Sequence, residues 1–302
     1  MPKGIGIGFL LLLMTIVLLV TNCEPADLSS SPASSSRREL DELLERIARN
    51  SFELRQQSAV FDARFREYDA GFINVGSKNF SVGAPSRAFA EAVLAAAESM
   101  RRELALEWLG KELPEGKQFT RIHVELSTEI DEGLCDLDPA GSLSCGHNRI
   151  WLTTTPELAL GSTLRHELTH LVLHHQFPAG GGIPAFANEG ICSRMDDANR
   201  HARRSNLLGK IVQTEKWPSL VEVMTQRTIA PTDELAYTVS ASLTEFFLSR
   251  GDRKKYLDFV SAGSRIGWPA ATQQFYGIAT TRDLQREWQT FVTQTVRKAQ
   301  AN

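Results

Sequence analysis

Cysteine is scarce in this sequence: four in 302 residues, at positions 23, 135, 145 and 192, with no Cys-x-x-Cys spacing among them. That excludes a disulfide-built miniature fold and the usual thiolate zinc sites, whose ligands come in close pairs. Neither sign of charge dominates. The net charge is only −3, so there is no basic field to hold a phosphate backbone, and nucleic acid is not an expected partner. The short cluster Arg200, His201, Arg203, Arg204 reads as a solvated helix face. No internal repeat is detected, and the one long uncharged apolar run is Gly4 to Val20.

Lys3 precedes that run, giving the layout of a secretory signal or a short membrane anchor. The run ends at Val20-Thr21-Asn22-Cys23, which resembles the lipobox of bacterial lipoproteins, although Asn22 stands where a small residue is usual. Three readings stay open for residues 1–23: a lipoprotein signal, an uncleaved anchor, or a cleaved signal peptide. All three imply an extracytoplasmic protein of the cell envelope or a secreted one, and the first two make the membrane a partner through this segment. Residues 24–36, rich in Ser, Pro and Ala, read as a flexible linker, and 37–70 as an outlying helical segment. The main domain is expected over 71–300. An oxidising compartment permits disulfides, and Cys135 and Cys145 bracket a loop whose Asp138-Pro139 and Ala140-Gly141 steps let its ends meet, making them the candidate pair. Cys192, inside a hydrophobic helix, reads as a small buried apolar residue.

Within the main domain, 72–75 and 80–82 alternate like the strands of a hairpin, and 86–109 has the apolar spacing of a long helix closed by Gly110. Two further β-rich runs follow, 121–126, with Ile122, Val124 and Leu126 inward, and 149–153. Helical patterns then dominate: 163–176, 185–208, 235–248, 254–260 and 281–299. The expected class is α+β, a small and mostly antiparallel sheet followed by a helical part.

His166-Glu167-Leu168-Thr169-His170 falls where the first of these later helices begins. Two histidines four apart lie about one turn apart on one helix face, so both rings can reach one tetrahedral Zn²⁺, and Glu167 lies beside the same opening as a general base. Leu164, Leu168, Leu171, Val172 and Leu173 surround the motif as they would in a buried helix. Beyond the joint Gly180-Gly181-Gly182-Ile183-Pro184, the next helix carries Asn188-Glu189-Gly190, and Glu189 can supply a third ligand. Three protein ligands leave a position open, as catalytic zinc requires. His123, His147 and His201 read as structural or surface residues.

Those segments, with Ala236-Tyr237-Thr238-Val239-Ser240 and the run from Phe275 to Trp288, resemble the gluzincins, the peptidase-MA-like domains related to thermolysin and the zinc aminopeptidases. The resemblance implies a zinc metallopeptidase acting on peptide or protein substrates, with His166, His170 and Glu189 as ligands and Glu167 as base. It also implies that Tyr237 stabilises the oxyanion. Two departures stand out. The Gly-x-Met-x-Asn segment of the aminopeptidases is missing, and Ser193 occupies the position four after Glu189 where thermolysin-like enzymes place a carboxylate, so no orienting partner for either histidine is legible. The alternative expectation is a membrane-tethered zinc-binding or protein-interaction domain that keeps the frame without catalysis.

Overall fold

The computed structural model describes residues 72–116, 119–137, 148–177 and 182–301. The expected signal or anchor, linker and outlying helix of residues 1–70, as well as Cys145 and His147, lie outside the described residues. Among the described residues Cys135 and Cys192 form no disulfide, and the expected pair of Cys135 with Cys145 falls partly outside them. No helix among the described residues is long and apolar enough to cross a membrane.

The chain builds an α+β structure in the expected order, sheet first and helices after. Strands β1 (Ile73–Gly76) and β2 (Phe80–Ala84) form the antiparallel hairpin, and α1 (Arg87–Leu109) follows. Ser86 caps α1 by accepting from the Phe89 amide, and Gly110, at φ 68°, ends it. The remaining strands are β3 (Thr120–Leu126), β4 (Glu132–Asp136) and β5 (Asn148–Thr154), in the sheet order β1-β2-β3-β5-β4.

The sheet is mixed, which corrects the mostly antiparallel expectation. Helix α1 returns the chain to the starting edge, so β3 runs parallel to β2, and the excursion through β4 likewise leaves β5 parallel to β3. Among the described strands only the outer pairs, β1 with β2 and β4 with β5, are antiparallel. Central strands covered on both faces lose strict alternation. Thus His123 is buried, packed between the rings of Phe72 and Trp151, while Leu126, expected inward, is exposed.

The helical part begins with α2 (Pro156–Ala159) and α3 (Ser162–Gln176), then α4 (Ala185–Cys192), a 3₁₀ turn (Ser193–Met195) and α5 (Ala198–Thr214). The single helix expected over 185–208 is therefore broken. Asp197 breaks it, because its side chain accepts from the amides of Asn199 and Arg200 and caps a new helix there. Helices α6 (Leu220–Thr225), α7 (Glu234–Leu248), α8 (Arg253–Ile266), α9 (Trp268–Tyr276) and α10 (Thr281–Ala301) complete the order. One core joins the sheet to the helices, from Phe80, Ile122 and Leu152 through Leu168 and Phe186 to Phe247 and Trp288. Helix α3 lies within it, with Leu164, Leu168 and Leu171 through Leu173 fully buried. A polar group on α3 must therefore find a partner, because burial without one costs about 1–3 kcal/mol.

Candidate metal centre

Helix α3 carries His166, Glu167 and His170, all at least nearly buried, and packs against β4 and α4. The two imidazoles meet edge to face with centroids 5.1 Å apart. Helix α4 is short and apolar, burying Phe186, Ala187, Gly190, Ile191 and Cys192, and its one acidic residue is Glu189. It lies close against α7 because position 190 has no side chain: a Cβ there would stand 2.2 Å from Thr244 Oγ1 and 2.5 Å from the Ser240 carbonyl oxygen. That contact sets how far Glu189 reaches toward α3.

Glu189 Oε2 lies 3.8 Å from His166 Nε2 and 3.8 Å from His170 Nε2. The atom is buried and has no hydrogen-bond partner among the described residues. Three donors at bond lengths of ~2.0–2.1 Å around a tetrahedral cation stand about 3.3 Å apart. The observed separations exceed that by about half an ångström, a gap that small side-chain shifts close. His166, His170 and Cys192 also form a buried group whose ligand atoms lie within 4.8 Å of one another and could bind a metal ion. Cys192 Sγ, however, is 3.3 Å from His170 Nδ1, on the other nitrogen of the ring from Glu189. The convergence at the two Nε2 atoms favours Glu189 as the third donor.

The partner of His166 was not legible in the sequence. It is Asp196, whose Oδ1 accepts from His166 Nδ1 at 2.9 Å. A carboxylate only accepts when ionised, so Nδ1 holds the proton and Nε2 is directed toward Glu189. Burial works against the His166 charge, but the hydrogen bond to Asp196 and the neighbouring carboxylates of Glu189 and Glu167 override it and lift the pKa to about 10. Burial also works against the Asp196 charge, and His166 and Arg204 outweigh it, holding the carboxyl well below its ordinary range.

Arg204 and Arg200 both reach Asp196, the latter at 3.3 Å. Arg200 also donates to the Asp131 carboxylate at 2.8 Å and to its carbonyl oxygen at 2.7 Å. The other Asp131 oxygen accepts from Thr154 and Thr163, each at 2.8 Å. This corrects the reading of the arginine cluster as a solvated face, for two of its members are half-buried structural cations. A signal did exist: Asp196, Arg200 and Arg204 recur at one-turn spacing.

Glu167 points into a cleft of about 550 Å³, bordered by Glu132, Gly133 and Leu134 of β4, Arg203 and Leu207 of α5, and Tyr237 of α7. Its carboxyl pKa is pushed up, chiefly by burial, with the two histidines opposing. Gly133 fits against it closely enough that a Cβ would fall 2.2 Å from Glu167 Oε1. Tyr237 lines the same cleft beside Glu189, and burial together with Glu189 and Glu167 raises its phenol pKa, so it remains a hydrogen donor at neutral pH. Glu189, despite burial, is held ionised below its ordinary value by His170 and His166. The five residues singled out from sequence, His166, Glu167, His170, Glu189 and Tyr237, thus border one site. No family model matches the chain, and no curated protein shows significant similarity to it.

Proposed function

We propose that the protein is a zinc-dependent hydrolase of the gluzincin type that cleaves peptide bonds, tethered at the cell envelope by its N-terminal segment. The observation that carries the reading is the buried Glu189 oxygen, unpartnered among the described residues and equidistant from two imidazole nitrogens. Such an atom is costly unless a cation compensates it. Two imidazoles and a carboxylate suit zinc.

When bound there, zinc supplies Lewis acidity toward water and a substrate carbonyl. The chain's own residues do the remainder. Glu167, raised in pKa and facing the cleft, takes a proton from the attacking water and returns it to the departing amine. Tyr237 donates a hydrogen bond to the negative charge that develops on the carbonyl oxygen. Asp196 holds the His166 ring with Nε2 forward. Strand β4, last in the sheet order among the described residues, borders the cleft, and an extended peptide substrate is proposed to lie alongside it.

The test is cleavage of a mixed peptide library by metal-verified protein, abolished by a chelator and restored by zinc. Glu167→Gln should retain stoichiometric zinc and lose about 10²–10⁴ in turnover. Undiminished cleavage by that variant would contradict the base assignment. Stoichiometric zinc with no cleavage by the wild type would point to the inactive zinc-binding domain instead.

A further inference from the structure

The two histidines of the site are held from behind by unlike atoms. His166 Nδ1 meets a carboxylate anchored by Arg200 and Arg204. His170 Nδ1 meets the Cys192 thiol at 3.3 Å, a normal distance when sulfur is a partner. Cys192 is fully buried and follows Glu189 by three positions on α4, so one turn of one helix touches both nitrogens of the same ring. Glu189 addresses Nε2 and Cys192 addresses Nδ1.

Resting on the zinc reading above, we infer that Cys192 is a positioning residue: its sulfur accepts the Nδ1–H of His170, turns Nε2 toward Glu189, and does not bind the metal. Metal-bound histidines generally spend their second nitrogen on an orienting acceptor, and among the described residues the partner of His170 Nδ1 is the Cys192 sulfur, not a carboxylate. The rival arrangement, with Cys192 as a direct ligand beside His166 and His170, is near enough in distance. It leaves the Glu189 oxygen buried and uncompensated, and it removes the thiol from His170 Nδ1. The positioning role satisfies both groups at once.

The chemical consequence is an unequal pair of donors. A thiol sulfur is a weak acceptor and a carboxylate a strong, charged one. His166 is therefore the more electron-rich ligand and His170 the poorer, which leaves the metal more acidic than two carboxylate-backed histidines would.

Two measurements on the full-length protein decide the matter: the absorption spectrum with Co²⁺, and zinc affinity by competition with a chromophoric chelator for wild type, Cys192→Ser and Cys192→Ala. Wild type is expected to bind Co²⁺ without an intense near-ultraviolet sulfur-to-metal band. Zinc affinity should fall by about 10–100-fold in Cys192→Ala and by less in Cys192→Ser, whose hydroxyl still accepts a hydrogen bond. A charge-transfer band that vanishes in Cys192→Ser would make Cys192 a ligand and overturn the assignment. Equal affinities in all three proteins would overturn it too, leaving Cys192 as core filling. A wild type that takes up neither metal would sink the zinc reading itself. Metal binding is read without substrate, so absence of peptide cleavage would not disturb a positive result.

Discussion

Gly133→Ala displaces the candidate base without touching a ligand. The added methyl would sit 2.2 Å from Glu167 Oε1, 2.7 Å from Cδ and 2.8 Å from Cγ, whereas comfortable contact begins near ~3.5 Å. Position 133 is fixed by its pairing with Leu152 across β4 and β5, so the carboxylate must give way, by roughly 1 Å. A misplacement of that size costs about 10²-fold in rate, the low end of what losing a general base costs. His166, His170 and Glu189 stay on α3 and α4, so zinc content should be unchanged. Overpacking costs about 1–3 kcal/mol, which lowers the melting temperature without unfolding the domain. The assay is kcat/KM on a cleaved library peptide, with metal analysis and thermal unfolding of the same preparation. Gly209→Ala is the control, since a Cβ there meets nothing within 4 Å; it should keep full activity and add up to ~1 kcal/mol of helix stability. Wild-type turnover in zinc-loaded Gly133→Ala would refute the placement of Glu167 as base.

Gly190→Ala should force α4 away from α7 and carry Glu189 with it, weakening zinc binding and lowering the melting temperature together; unchanged values of both would contradict the close approach. Asp196→Asn keeps the size of the side chain but removes the charge that holds His166, Arg200 and Arg204, and zinc affinity should drop by about 10–100-fold, checked by chelator competition. The His166 pKa, raised from 6.5 to about 10, means that its charged form is favoured by folding. Its contribution to metal-free stability is complete below the unfolded value of 6.5 and is lost as pH climbs through about 10. Zinc uptake must expel that same proton, so affinity should strengthen by about tenfold per pH unit across this window. Titrations giving a flat profile from about pH 7 to 9 would be inconsistent with it.

How far the sequence revealed this site depended on distance along the chain. His166, Glu167 and His170 were legible because three residues within one turn of an apolar helix carry their own geometry. Glu189 was legible from the neighbouring Gly190, though the reason for that glycine, the close approach to Ser240 and Thr244, emerges only in three dimensions. Asp196 was missed because apolar periodicity runs across it, while the break that aims it depends on a side-chain cap at Asp197. The role of Arg200 depends on an acceptor 69 positions away, which no local pattern encodes. Strand β4 is five residues long, with two acidic ends and a glycine, and gives almost no β signal. Strand direction was misjudged because it follows from where the connections cross, not from the composition of the strands.

The corner from Ser193 to Asp197 makes the site hard to transplant. Grafting the His166–His170 pentapeptide and a carboxylate onto a foreign helix pair would reproduce the proposed ligands but leave one imidazole free to swivel. A faithful graft must bring the bend and the arginines of α5 that grip it, along with the Asp131 anchor on the opposite wall. What looks like a short motif is, mechanically, a unit running from the edge strand to the middle of α5.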